Sequence, residues 1–129
     1  MSSFTLANMK EIEETGSKRL PGIEGRFARR HIDSEHVGVS YIRYDPGVRD
    51  TTGHSHREQE EVFVVIEGTG RAKLDGEVLA LRQWDILRLA PQVVRAFEGG
   101  SPDGLTLIAV GSDRPPDGDG VLLPNWWTD

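Results

Sequence analysis

PGVRDTTGHSHREQEEVFVVIEG, residues 46–68, carries two histidines one residue apart and an acidic run that leads straight into an apolar stretch. Side chains alternate along an extended chain, so on a strand His54 and His56 project from the same face. Two neutral imidazoles converging in this way are good ligands for a divalent ion. The run Glu58-Gln59-Glu60-Glu61 follows, and a carboxylate at the mouth of a buried strand is costly unless it is paired, hydrogen-bonded or bound to a cation. Glu61 shares a side with Phe63 and Val65, whereas Glu60 points the other way. Two histidines and one carboxylate on one face leave metal positions open for water, substrate or dioxygen. The same spacing also suits an ordinary exposed strand followed by a solvated acidic loop. His31 and His36 lack such companions and are expected as surface or capping residues.

Outward from this stretch the chain reads as β structure. Val62, Val64 and Ile66 on one side and Phe63 and Val65 on the other leave no polar face, which predicts an interior strand. Residues 104–111 read likewise. Short runs rich in Val, Ile, Tyr, Phe and Thr, separated by Gly, Pro and Asp, predict strands at 25–32, 37–44, 61–67, 70–74, 77–81, 84–89, 92–98 and 104–111. Asp75-Gly76 supplies the positive φ values of a type I′ hairpin turn, which pairs Leu74 with Glu77 and Ala72 with Leu79. Residues 7–14 suit about two turns of helix, stopped by Gly16. After Gly111 the Pro, Asp and Gly content of SDRPPDGDG predicts an irregular segment, and Trp126 or Trp127 is expected to dock on the barrel or on a partner subunit. One domain therefore spans 1–129, with an N-terminal extension (1–20), a barrel (25–111) and an irregular tail (112–129).

Composition narrows the function. The net charge of -6 repels phosphate backbones, and no basic patch with interleaved aromatics opposes it, so nucleic acid is not an expected partner. Arg19, Arg26, Arg29 and Arg30 alternate sides along an extended chain and are read as solvated. No apolar run approaches the roughly 20 residues of a membrane span. Neither a secretory signal nor any cysteine is present, which fits a cytoplasmic protein without disulfide or thiolate chemistry.

Residues 46–68 resemble the first conserved motif of the cupin superfamily, G(X)5HXH(X)3-4E(X)6G, with Glu61 at the motif carboxylate six residues before Gly68. WDILRLAPQVVRAF, residues 84–97, resembles the second motif, G(X)5PXG(X)2H(X)3N. There Trp84 stands where glycine is usual, Gln92 where the next glycine falls, and Arg95 where the fourth ligand would be. The whole chain looks like the small bacterial single-domain cupins. The resemblance implies an all-β jelly-roll barrel, with His54, His56 and Glu61 as ligands of a divalent ion that Fe, Mn, Ni, Zn or Cu would suit. It also implies a small-molecule ligand and a homodimer. Arg95 enters the barrel in this reading, where its charge needs an anionic partner. Either it faces the carboxylate or phosphate of a substrate beside the metal, or it pairs with Glu61 and replaces the metal in a cavity that only binds a ligand.

Overall fold

The computed structural model describes residues 3–18 and 20–129; Arg19 of the basic cluster lies outside them. In chain order the strands are β1 (Ile23–Phe27), β2 (Gly38–Tyr44), β3 (Gly53–His56), β4 (Glu61–Leu74), β5 (Glu77–Arg82), β6 (Ile86–Leu89), β7 (Arg95–Gly99), β8 (Leu105–Gly111) and β9 (Gly120–Leu123). They form one curled antiparallel sheet, ordered β1-β2-β8-β4-β7-β3-β9, with β5 and β6 also paired to β4. The fold is all-β, as the patterning predicts.

Strand β4 makes the curl possible. Its first half pairs with β8 and β6, its second half with β5 and β7. Between the halves lie a bulge at Val65–Glu67 and Gly68 in the left-handed region at φ 82°. A bulge increases local twist, so one strand can serve two layers. The separate strands expected at 61–67 and 70–74 are thus one element. A Cβ on Gly68 would run into the backbone carbonyl of Gly104, so the two chains cross there only because the side chain is missing.

Phe63 and Val65 point inward from β4 and meet Leu105, Leu107 and Ala109 from β8, Phe97 from β7 and Tyr44 from β2 in a single core. The Phe63 and Phe97 rings stand 4.9 Å apart and tilted, a favourable aromatic arrangement. The other faces of β4 and β8 are only partly covered, and Val110 is exposed, so neither strand is buried on both sides as expected. The hairpin register is the expected one, Leu74 with Glu77 and Ala72 with Leu79, and Asp75 takes φ 51°.

Five expectations need correction. Residues 7–14 form no α-helix, only a 3-10 turn at Met9–Glu11. The Arg26 guanidinium donates to the carbonyls of Lys10 and Ile12 and holds this segment open, which also makes Arg26 a structural residue and not a solvated one. The first strand stops at Phe27, and residues 29–32 coil into a 3-10 turn. Strand β6 starts two residues late because Trp84 has φ 73°; there its N–H donates to the Val65 carbonyl at 2.7 Å, beside the bulge. The tail, expected to be irregular, contains β9. Among the described residues no helix is long and apolar enough to cross a membrane.

Two glycine-type positions test this account. Gly68→Ala combines a disfavoured φ with a backbone clash and is expected to lower unfolding free energy by about 3 kcal/mol in urea titration; a loss under about 1 kcal/mol would mean the crossing is looser than described. Trp84, 70% exposed, adopts a backbone conformation suited to glycine. Trp84→Gly should therefore stabilise by about 1 kcal/mol, and a destabilised variant would show that the indole contributes packing.

Candidate metal centre

Strand β3 presents His54 and His56 on its inner face, as alternation requires, with their rings edge to face and 5.2 Å apart. Glu61 enters from the start of β4, on the same side as buried Phe63 and Val65. Glu60 points outward and pairs with Arg88 at 2.6 Å. One ligand atom from each of His54, His56 and Glu61 lies within 4.8 Å of the other two. These three groups line a cavity of about 640 Å³ whose wall also includes Tyr44, Asp50, Ser40 and Phe97.

Around them runs a chain of opposite charges. The Arg95 Nη1 donates to Glu61 Oε1 at 2.6 Å, and His56 Nε2 lies 3.1 Å from that same oxygen. On its far side His56 Nδ1 is 2.8 Å from Asp119 Oδ1, and Asp119 Oδ2 accepts the backbone N–H groups of Glu58 and Gln59. Arg95 has no exposed surface, and its remaining donors meet the carbonyls of Val93, Ala90 and Pro91. Its Cα lies opposite His54 in the β3–β7 pairing, where the second motif places a ligand. Arg95 and Glu61 therefore pair directly.

Electrostatics follow from these contacts. The Glu61 carboxylate beside Nε2 raises the pKa of His56 against the opposing effect of burial, with Asp119 helping. Burial pushes the Glu61 carboxyl up, but His56, Arg95 and His54 outweigh it and hold it below its ordinary value. Desolvation lowers the Arg95 guanidinium, which the neighbouring Glu61 resists. Burial also raises Asp119, yet the hydrogen bonds from His56, Glu58 and Gln59 prevail and bring it to about 2. Deeper in the cavity the Tyr44 hydroxyl donates to Asp50 Oδ2 at 2.8 Å, and burial followed by the Asp50 charge drives the phenol pKa well up, so it stays protonated.

One atom tests whether these residues suit a cation. His56 Nε2 is buried and makes no hydrogen bond, although Glu61 Oε1 is near, because the direction between them is wrong for one. An unbonded imidazole nitrogen beside a carboxylate oxygen, with a second imidazole in reach, is a nitrogen and oxygen donor set that fits a divalent ion. Arg95 holds Glu61 by its Oε1 oxygen.

Sequence reading missed three contributors. Asp119 gave no signal, since it lies in a Pro-Asp-Gly segment that reads as loop. Arg29 and Arg114, read as solvated or unremarked, line the cavity. The tail residues Val121, Leu122 and Leu123 form β9 against β3, with Leu122 opposite His54 and Gly120 opposite His56. Beyond them the tryptophans dock on the barrel: the Trp127 Nε1 donates to the Asp50 carbonyl at 2.7 Å, and the Arg49 guanidinium lies 4.3 Å above its ring. Lys73 donates to the Trp126 carbonyl and lies over the Trp126 ring. His31 and His36 are exposed, as expected, and His36 lies 3.2 Å from Asp113.

A family profile described as "Cupin domain" matches residues 40–111. No curated protein matches the chain. Solved structures do: KdgF from Halomonas sp. is 21% identical with a TM-score of 0.69, covering 91% of this chain and 98% of that one. A cupin protein from Bacteroides fragilis is 19% identical at TM-score 0.73, covering 90% and 89%. A protein of Silicibacter pomeroyi described as a sugar phosphate isomerase from a cupin superfamily is 16% identical at TM-score 0.72, covering 92% of each chain. At these identities the likeness is one of fold.

Asp119 makes the site sensitive to acid. Its pKa falls from 3.8 to about 2 on folding, so its stabilisation is fully present above pH ~4 and is lost as pH drops through about 2. The difference corresponds to about 2 kcal/mol. Urea unfolding at pH 5 and at pH 2 should show this loss in the wild type and not in Asp119→Asn; equal losses in both proteins would remove Asp119 as the source.

Proposed function

The chain belongs to the cupin family, and from that membership we propose a divalent-metal-binding protein whose His54, His56 and Glu61 hold the ion and whose cavity takes a small anionic organic molecule. The observation that carries this reading is His56 Nε2, buried without a hydrogen bond 3.1 Å from a Glu61 carboxylate oxygen, with a ligand atom of His54 within 4.8 Å. A bound ion would supply Lewis acidity to a substrate oxygen. With Arg95 where a fourth ligand is usual in the family, the protein donates three ligands and leaves positions for that oxygen.

The sequence left Arg95 either facing a substrate anion or paired with Glu61. Its donors are committed to Glu61 and three backbone carbonyls, and none of its surface is exposed. We assign it the role of holding Glu61 in place, and we give the anion-facing role to Arg29 and Arg114. Arg29 is steadied by the Ser112 carbonyl at 3.0 Å, and both arginines line the cavity that His54, His56 and Glu61 share. A guanidinium fork suits carboxylate or phosphate. Within the pocket, Ser40 and the Tyr44 hydroxyl offer hydrogen bonds to a hydroxylated ligand, which makes sugar phosphates sensible first compounds to assay.

The Arg95–Glu61 pair itself supports a second reading, a non-catalytic cupin in which the guanidinium supplies the positive charge that a metal otherwise would. Elemental analysis of protein purified without a metal-binding tag separates the two. Near-stoichiometric metal that disappears in the His54→Ala, His56→Ala double variant is the expected result. Metal-free protein whose stability is indifferent to chelator would establish the second reading in its place.

A further inference from the structure

We propose that Asp119 is a positioning residue that fixes the His56 ring with Nε2 free to bind a cation, so that the C-terminal segment sets the affinity of the site. This deepens the metal reading above and rests on it. The argument starts from the backbone. The N–H groups of Glu58 and Gln59 both point at Asp119 Oδ2, at 2.9 and 2.8 Å, and an N–H can only donate. They fix the carboxylate in one orientation. Its other oxygen, Oδ1, then faces His56 Nδ1 at 2.8 Å.

An ionised carboxylate only accepts hydrogen bonds, so Nδ1 must carry the hydrogen and the lone pair of a neutral ring lies on Nε2. That nitrogen is the one buried beside Glu61 without a hydrogen bond. A histidine whose second nitrogen donates to a carboxylate is oriented and made more basic as a ligand. Asp119 is 1% exposed, and its carbonyl accepts the Arg57 N–H at 3.1 Å. Strand β9 begins at the next residue, with Gly120 opposite His56. The tail therefore delivers the carboxylate to a place defined on three sides.

Replacement by asparagine reverses the logic without changing the shape. The amide oxygen has to take the two backbone donors, which leaves the NH₂ group facing His56 Nδ1. A donor there demands a lone pair on Nδ1 and moves the hydrogen to Nε2, where it blocks coordination.

The test measures Zn²⁺ affinity of wild type and Asp119→Asn by chelator competition, and reads the His56 ring from its ¹⁵N shifts in metal-free protein at a pH above its titration. We expect Asp119→Asn to bind zinc about 10- to 100-fold more weakly, with the ring hydrogen on Nδ1 in the wild type and on Nε2 in the variant. Zinc bound equally by both folded proteins would overturn the inference and leave the metal reading standing. A wild-type ring with its hydrogen on Nε2 would also overturn it, and that measurement decides even if the variant does not fold. A wild type that takes no zinc but keeps the hydrogen on Nδ1 would remove the metal reading while supporting the role of Asp119 in orienting the ring.

Discussion

The bend in β4 is the constraint on which the rest of the molecule depends. A single strand of fourteen residues supplies hydrogen bonds to four neighbours, and it can do so only by turning at the Val65–Glu67 bulge and Gly68. Before the turn it delivers Glu61, Phe63 and Val65 to the interior; after it, Ala72 and Leu74 align with Phe97 and Arg95 on β7. The carboxylate and the guanidinium that meet at the site thus come from strands registered by opposite halves of one element. The glycine that closes the first motif has its explanation here, at a backbone crossing with no room for a side chain.

Within that frame the polar interior is held by alternation of charge. Arg95, Glu61, His56 and Asp119 form a row in which each member contacts one of opposite sign or a partner able to become so. Desolvation opposes every one of these charges, and the pair contacts, with backbone donors at Asp119 and backbone acceptors at Arg95, offset it. Such a row tolerates little displacement. It gives the site its rigidity and accounts for the absence of exposed surface on Arg95.

How much of this was legible in the sequence depends on the range of the interactions involved. The two-residue spacing of His54 and His56, the inward side of Glu61 and the register of the Asp75-Gly76 hairpin are local consequences of extended geometry, and all three appear in the structure. Arg95 entered the interior as alternation implied, but its choice of Glu61 over a substrate depended on the β3–β7 pairing, which no local pattern encodes. The turn at residues 9–11 replaced a helix because Arg26, distant in sequence, captures two of its carbonyls. Asp119 and β9 were hidden for the same reason. A short apolar run after Gly and Asp reads as loop until the strand it pairs with is known. Trp84 is the converse case: its departure from the second motif changed the side chain, while the left-handed backbone that glycine would adopt is retained.

The shortness of β3 has a consequence for how the protein is made. That strand registers with β7 at one position and with β9 at four, so its placement rests mainly on residues 120–123. Chains emerge from the ribosome N-terminus first. The core of β1, β2, β4 and β8 lies before residue 112 and can consolidate before β9 is translated, but the two histidines acquire their final edge only when residues 120–123 have emerged. A nascent chain halted before residue 120 would hold a folded core while the strand that carries the two histidines still lacked most of its pairing.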